Sequence, residues 1–355
     1  MSSRSGVSFL AVMSAPSPVN GLCEAIGNTP LIRLPKLSAA VGSDLYGKAE
    51  FLNPGGSVKD RAALGIILDA EERGLLAAGG TVVEGSAGNT GIGLTVVALA
   101  RGYRTVVVVP DSQSEEKIAL LRHLGAEVRL VPPAPFREPG NYNKVAARLA
   151  SEIPGAYYAN QFDNPANAAF HQRTTGPELW EQTGGGITAF ATAIGTGGTL
   201  KGVSLALKER NPDVRVYCAD PMGAAMWSWF THGHTDFDDG DSIAEGIGQG
   251  RVTVNVEGTP VDGAVRVPDR ILIEIVYHLL REEGLYLGTS CGINVAGAVR
   301  AALDLGPGQQ VATILCDRAD RYASRISNPE WLAAENLTPE GWSAERIVEE
   351  VARLG

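Results

Sequence analysis

The chain has 355 residues, 44% hydrophobic and 20% charged, a balance typical of a globular protein that excludes a disordered chain. Its 43 glycines are too many for an all-helical bundle. The net charge of −10 disfavours nucleic acid or an anionic membrane as a partner and favours a small-molecule ligand. The length predicts two domains.

The four cysteines form no close pair, which predicts neither a zinc site nor a disulfide framework and favours a reducing cytoplasm. No apolar run reaches the roughly 20 residues needed to cross a bilayer. Arg4 and the apolar stretch 7–13 weakly resemble a signal peptide, but Ser8 interrupts that stretch. We interpret residues 1–20 as a flexible N-terminal tail.

Short β-branched runs alternate with amphipathic segments between residues 45 and 316. This alternation predicts right-handed crossovers and parallel sheets, the α/β class. The run 105–109, with four successive valines, is typical of a strand buried on both faces. The first predicted series has strands 81–84, 105–109 and 127–131 and helices 62–72, 89–101 and 115–124. The second has helix 166–182, strand 188–194, helix 199–210, strand 214–219, helices 270–283 and 294–303, and strand 310–315.

Two such series predict two sheets with a cleft between them. We expect a smaller α/β domain at 45–160, a larger α/β domain made of 21–44 plus 161–330, and a C-terminal helical extension at 331–355. The proline-rich segment 131–139 and the segment 221–240 are predicted to be surface loops. The histidines and aspartates of 232–241 match no standard ligand spacing, so no metal is expected.

Lys59 is the first candidate for chemistry. Ser57 is a plausible N-cap for helix 62–72, which puts Lys59 in the first turn, where the helix dipole disfavours a cation. A desolvated amine there has a lowered pKa and can act as a nucleophile. For a lone lysine, the more common alternative is a solvated surface residue.

Two glycine turns, 85–91 and 195–199, each follow a predicted strand and open a helix. Free amides at a helix start bind carboxylates or phosphates, and the glycines of 195–199 allow the close approach that phosphate needs. The second turn lacks the lysine of a nucleoside-triphosphate loop. Asp220 follows it near the spacing at which an acidic residue binds the ribose of a dinucleotide, so a dinucleotide interpretation stays open. In a third turn, 288–292, Cys291 is expected to be a packed thiol.

Together these segments resemble the cysteine synthase and cystathionine β-synthase family of pyridoxal-phosphate enzymes (fold type II), over roughly residues 22–324. The resemblance implies two parallel-sheet domains with a tryptophan synthase β-like arrangement and the cofactor in the cleft between them. The segments that carry it, in chain order, are 28–31, 57–61, 86–91, 160–165 with Gln161, 174–178, 195–199, 245–248 and 288–292.

The resemblance implies that Lys59 holds the cofactor as a Schiff base and removes the substrate α-proton. Asn89 would contact the ring hydroxyl and Ser290 the pyridine nitrogen. Because a neutral hydroxyl does not enforce ring protonation, the ring would favour expulsion of a β-substituent. The phosphate would bind to Gly195, Thr196, Gly197, Gly198 and Thr199. The implied substrate-binding residues are Ser86, Ala87, Gly88, Asn89, Thr90, Gln161 and Gly246.

The implied reaction is β-replacement on an activated L-serine, O-acetyl-L-serine plus sulfide giving L-cysteine, through an aminoacrylate. Ala87, where the family usually has serine, resembles a subgroup that includes bacterial cysteine desulfhydrases. Elimination of cysteine to pyruvate, ammonia and sulfide therefore stays open, as does replacement with another nucleophile, a non-enzymatic homologue or a nicotinamide dehydrogenase. Residues 317–322 also depart from the family's usual Asp-Ser-Gly start, so the family's packing near the cofactor ring cannot be assumed for this chain. The resemblance further implies a homodimer with an amino-acid substrate, and the cytoplasm is the expected location.

Overall fold

A computed structural model describes residues 17–86, 88–113, 115–236 and 240–354, and it confirms the α/β class. The strands are β1 (Leu31–Arg33), β2 (Asp44–Ala49), β3 (Thr81–Gly85), β4 (Arg104–Pro110), β5 (Glu127–Val131), β6 (Ala156–Tyr158), β7 (Ala189–Thr192), β8 (Arg215–Pro221), β9 (Gly263–Val267) and β10 (Gln310–Leu315). The helices are α1 (Pro35–Val41), α2 (Lys59–Glu72), α3 (Asn89–Ala100), α4 (Glu115–His123), α5 (Tyr142–Glu152), α6 (Ala166–Arg173), α7 (Thr175–Gln182), α8 (Gly198–Arg210), α9 (Met226–His232), α10 (Asp269–Glu283), α11 (Thr289–Leu305), α12 (Ala323–Ile326), α13 (Pro329–Ala334) and α14 (Ala344–Ala352).

Within the described residues the strands form two sheets. The six-stranded sheet has the order β1-β2-β10-β7-β8-β9, in which β1 is antiparallel to β2 and the other pairs are parallel. The four-stranded sheet has the order β5-β4-β3-β6 and is parallel throughout. Because β2 pairs with β10, residues 45–49 belong to the larger sheet, which differs from the domain boundary expected at residue 45.

Apolar side chains on both faces of the larger sheet build its core. Helix α11 is buried along most of its length and packs against β7, β8 and β10. From the C-terminal segment, Trp342, Ile347 and Val351 are buried in the same core. The predicted C-terminal extension is thus held against the larger sheet by hydrophobic burial.

Two predicted helices differ from those observed. The segment 166–182 forms two helices, α6 and α7, because Pro177 has no amide hydrogen and its ring would clash with the carbonyl of Arg173 in a continuous helix. Helix α11 begins at Thr289 rather than at 294. Gly292 lies inside the helix, and this position requires glycine because a Cβ there would stand 2.6 Å from the Leu272 carbonyl oxygen of α10.

Helix α5 was not predicted although its sequence is amphipathic and Asn141 caps it. The other unpredicted elements are short, namely β1, α1, β2, β6, β9, α12 and α13. Segment 221–240 contains α9 in addition to loop, and its residues 237–239 lie outside the described part of the chain. Of the expected N-terminal tail, residues 1–16 also lie outside it. No helix within the described ranges is both long and apolar enough to span a bilayer.

We expect Gly202→Ala to destabilise the protein by about 1–3 kcal/mol, the usual cost of overpacking. A Cβ at this position of α8 would lie 2.2 Å from the Ala168 carbonyl oxygen and 2.6 Å from His171 Cβ, both on α6. Urea denaturation measures the change, with Glu209→Ala on the exposed face of α8 as the control, expected within about 0.5 kcal/mol of wild type. Equal midpoints for Gly202→Ala and wild type would contradict this packing.

Candidate active site

A cleft of about 810 Å³ is formed by the segments that follow β3, β7 and β10. It brings together most of the predicted site residues from distant parts of the chain. Gly197 and Thr199 line a cavity of about 20 Å³ that shares Lys59, Gly195 and Thr196 with the cleft. Ala87 lies outside the described residues. The predicted site residues that line the cleft are Lys59, Ser86, Gly88, Asn89, Thr90, Gln161, Gly195, Thr196, Gly246 and Ser290.

Lys59 is the first residue of α2, three positions earlier than the predicted start at 62. It is half-buried and lines the cleft, so the alternative of a fully solvated surface lysine is wrong. Ser57 Oγ accepts the Lys59 amide at 3.2 Å, and the Val58 amide donates to the Cys316 carbonyl oxygen at 3.0 Å. These bonds fix the lysine at the carboxyl end of β10.

A buried ion network anchors α2 two residues beyond Lys59. Arg61 Nε donates to Glu50 at 2.7 Å, and its Nη1 donates to Glu178 at 2.7 Å. Lys48 Nζ, also buried, lies 2.6 Å from Glu178. Although burial opposes ionisation, the hydrogen bond and charge of Arg61, with those of Lys48, lower the pKa of Glu178 to about 2.

A cradle of glycines lies where β7 leads into α8. Gly197 is the N-cap of the helix with φ +96°, which favours glycine. A Cβ on Gly195 would lie 2.3 Å from the Gly246 carbonyl oxygen, and one on Gly198 would lie 2.1 Å from Asn167 Oδ1. The backbone can make this turn only without side chains, and the first amides of α8 have no partners within the helix.

Hydroxyls complete the cradle. Thr196 Oγ1 accepts from Asn167 Nδ2 at 2.9 Å, and Thr199 Oγ1 is 3.2 Å from His171 Nε2. Burial holds the pKa of His171 well below its usual value, so this ring is neutral. A helix start, two hydroxyls and a nearby amine suit an aldehyde cofactor with an anionic tail, so the residues present fit pyridoxal phosphate.

The loop after β3 and the first turn of α3 hold Ser86 and Thr90, which were predicted to bind a substrate carboxylate. Ser86 Oγ accepts the amides of Gly88 at 3.3 Å and Gly91 at 3.0 Å, which caps α3. Thr90 Oγ1 donates to Gln161 Oε1 at 2.5 Å. The hydroxyls and the amide side chain expected to hold a substrate carboxylate therefore lie side by side.

Residues 317–322, which depart from the family's usual pattern, pack against Asn89. Asn89 Nδ2 donates to Asp317 Oδ2 at 2.6 Å, and Tyr322 donates to the same oxygen at 2.5 Å. Arg321 donates to both Asn89 Oδ1 and the Gly55 carbonyl oxygen. Sequence reasoning missed Arg321 and Asp317, because nothing in their spacing points to a residue 232 or 228 positions away.

Ser290 lies in the first turn of α11, buried and facing the cleft. Cys316 lines the cleft beside it and accepts from Asn294 Nδ2 at 3.3 Å. Cys291 is buried, and burial raises the pKa of its thiol well above the usual value. It is therefore a packed thiol.

The outer wall of the cleft holds charged residues that sequence reasoning also missed. Lys117 of α4 forms an ion pair with Glu245, and its Nζ lies 4.6 Å from the centre of the Tyr322 ring. Arg251 binds Asp163 through two nitrogens, at 3.0 and 2.7 Å. These pairs join the two sides of the cleft mouth.

Residues 22–317 match the model of the family described as pyridoxal-phosphate dependent enzyme. The chain is 52% identical over 333 residues to cysteine synthase 1 of Neurospora crassa, covering 93% of this chain and 89% of that protein. The O-acetylserine dependent cystathionine beta-synthase from Helicobacter pylori has a TM-score of 0.78 at 34% identity, covering 87% of this chain and 99% of that one. A hydrogen sulfide-producing enzyme from Fusobacterium nucleatum has a TM-score of 0.78 at 28% identity, covering 86% and 99%.

The chain therefore belongs to the family of pyridoxal-phosphate dependent enzymes. Within that class it is similar over most of its length to cysteine synthases. The resemblance inferred from sequence, the enzyme class and the cofactor are thereby confirmed. The cofactor left open by the 195–199 turn is pyridoxal phosphate rather than a dinucleotide.

Replacing Arg61 with methionine leaves Glu50 buried without its cation and leaves Glu178 paired with Lys48 alone, and we expect a loss of about 3–5 kcal/mol in unfolding free energy. The control is Arg73→Met, which removes an exposed pair with Asp69 and should cost less than about 1 kcal/mol. Chemical denaturation distinguishes the two variants. Similar losses would contradict the assignment of the network as a buried anchor.

The same network predicts an acid dependence. Because folding lowers the pKa of Glu178 from 4.5 to about 2, its stabilising contribution is present above about pH 4.5 and is lost as the pH falls towards 2. The difference in unfolding free energy between wild type and Arg61→Met should therefore become smaller as the pH falls from about 4.5 towards 2. Denaturation curves at successive pH values measure it, and a constant difference would count against the pairing.

Proposed function

We propose that this enzyme carries out β-replacement on an activated L-serine, with O-acetyl-L-serine and sulfide as the substrates and L-cysteine as the product. The observation that carries the proposal is that Lys59, the carboxylate loop and the start of the glycine cradle line one cleft, while Gly197 and Thr199 line the small cavity that adjoins it. The similarity to cysteine synthase 1 and to an O-acetylserine dependent enzyme supports the choice of substrates.

Each group has a separate task in this proposal. The bound cofactor supplies the electron sink that allows the β-substituent to leave. Lys59 holds the cofactor and accepts the α-proton of the substrate, while Ser86, Thr90 and Gln161 orient the substrate carboxylate. Acetate leaves from the β-carbon and sulfide forms the new carbon–sulfur bond there, so the overall reaction is an exchange of substituents.

The phosphate is proposed to sit in the turn Gly195–Thr199, against the first amides of α8. Asn89 then donates towards the ring hydroxyl. Two hydrogen bonds orient its side chain for this: Asp317 accepts one amide hydrogen, and Arg321 donates to the amide oxygen. Ser290 places a neutral hydroxyl at the pyridine nitrogen.

A second candidate is β-elimination of L-cysteine to pyruvate, ammonia and sulfide. It is favoured by Ala87, which replaces one hydroxyl donor of the carboxylate loop, and by the similarity to a hydrogen sulfide-producing enzyme. Both reactions use the same cleft and the same lysine. They differ in whether a nucleophile adds at the β-carbon before the product leaves.

We also propose a cytoplasmic homodimer with a small amino acid as its substrate. The four cysteines, all within the described residues, are free, which fits a reducing compartment. The dimer rests on family resemblance. Light scattering of the purified holoenzyme tests it.

The activity proposal predicts that the purified protein makes cysteine from O-acetyl-L-serine and sulfide. Lys59→Ala should reduce this rate at least 1,000-fold, because covalent attachment and proton transfer are both lost. The exposed Lys36→Ala is the matched control and should retain wild-type rate. Pyruvate release from cysteine, with no cysteine formed from O-acetyl-L-serine, would instead establish the second candidate.

Gly195→Ala should weaken cofactor binding at least tenfold without unfolding the protein, because its Cβ would press against the Gly246 carbonyl oxygen at 2.3 Å. Titration of the apoenzyme with pyridoxal phosphate, followed by visible absorbance, measures the affinity. The control is Gly250→Ala, whose Cβ would meet nothing within 4 Å. Equal affinities for the two variants would place the phosphate elsewhere.

A further inference from the structure

Glu84 is a fully buried acid directly behind the carboxylate loop. It lies on β3, one residue before the strand ends, opposite Val107 of β4. No role was assigned to it by the sequence motifs. A buried carboxyl two residues from Ser86 therefore needs an explanation, since acids are rarely buried without a partner.

The partner of Glu84 is Gln161. Glu84 Oε2 accepts the Gln161 backbone amide at 3.1 Å, and Oε1 accepts the side-chain Nε2 at 3.4 Å. Gln161 Nε2 also donates to the Gly85 carbonyl oxygen at 3.2 Å, and its Oε1 accepts from Thr90. Glu84 thus holds Gln161 by main chain and side chain at once, and through it the Thr90 hydroxyl.

The surroundings of Glu84 disfavour its charge. Its ionisable neighbours are Tyr142 of α5 and Tyr157 and Tyr158 of β6, and Asp163 lies in the segment that follows β6. The tyrosines are neutral at neutral pH and their pKa values are raised by burial, while β4 presents Val107. Burial raises the pKa of Glu84 to about 8, although hydrogen bonds from Gln161 and the backbone favour the ionised form. The carboxyl is therefore mainly protonated at pH 7.

We propose that Glu84 is a positioning residue for the substrate carboxylate: a buried neutral acid that fixes Gln161 and whose ionisation weakens amino-acid binding. This inference rests on the proposed function, because it takes Ser86, Thr90 and Gln161 as the carboxylate site. An ionised Glu84 would put a second negative charge directly behind the group that receives the substrate's own carboxylate. In a poorly solvated site that repulsion is weakly screened.

The test uses the holoenzyme and L-alanine, a substrate analogue without a leaving group, with binding followed by the change in visible absorbance. Glu84→Gln keeps the shape and cannot ionise. Because the ligand's amino group titrates in the same range, the quantity compared is the ratio of the wild-type Kd to the variant Kd at each pH. We expect this ratio to rise at least about tenfold between pH 7 and pH 9.5. The matched control, Glu127→Gln, removes an exposed carboxylate from β5 of the same sheet and should leave the ratio constant.

Glu84→Ala tests positioning separately from charge. At pH 7, where Glu84 is mainly protonated, it should raise the KM for the amino-acid substrate by at least about tenfold, with a smaller effect on kcat, because the carboxylate site is loosened while Lys59 is untouched. Glu84→Gln should restore most of the loss at pH 7. A KM at pH 7 that is as high in Glu84→Gln as in Glu84→Ala, or a Kd ratio that stays flat with pH, would overturn the proposal.

A second measurement needs neither cofactor nor substrate. The infrared difference spectrum between wild type and Glu84→Gln should show the band of a protonated carboxyl at pH 7 that disappears by pH 9.5. Its absence at pH 7 overturns the proposal even if the enzyme is active, and Glu84→Ala replaces Glu84→Gln as the reference should the latter not fold. A protein that binds no cofactor would refute the proposed function instead, and the infrared titration would then decide whether Glu84 is the neutral acid.

Discussion

The buried pairing of Arg61 with Glu50 and Glu178 is the constraint on which the site depends. It joins the helix that begins with Lys59 to the end of β2 and to α7. Buried ions are costly unless their hydrogen bonds are completed, and here one guanidinium serves both carboxylates while Lys48 adds a second cation. The network stabilises one particular arrangement of α2, and so it fixes where the amine of Lys59 can reach.

The remaining site is built from the carboxyl ends of parallel strands. After β3 and after β7 the chain turns through glycines and starts a helix, and each helix start presents free amides to the cleft. The segment after β10 links the first of these helix starts to the loop before Lys59, because Asp317 and Arg321 bind Asn89 and Arg321 also binds Gly55. The segment 317–322, which departs from the family's usual pattern, thus holds Asn89 in place beside the cleft, and its Tyr322 lines the cleft.

Sequence pattern located the elements whose signal is local. The valine run of β4, the strands β5 and β10 and the glycine turns follow from periodicity or from the chemistry of neighbouring residues, whereas the role of Lys59 was implied only by the resemblance of several segments to one family. The break before Pro177 had a local signal that was overlooked, whereas short strands such as β1 and β9 had none. Partnerships across the fold could not be predicted, since Glu84 and Gln161 are 77 positions apart and Lys117 and Glu245 are 128 apart. Charge and residue type alone do not say which distant segments will meet.

The tight contact between α6 and α8 reaches further than stability. Helix α6 carries Asn167 and His171, whose side chains contact the two threonines of the 195–199 turn. The packing of α6 against α8 therefore supports that turn, and the close spacing of the two helices depends on Gly202, which lies outside the cleft. Side-chain volume between α6 and α8 thus affects the position of the turn although it lies outside the cleft. Mutant libraries confined to the cleft wall would not sample this effect.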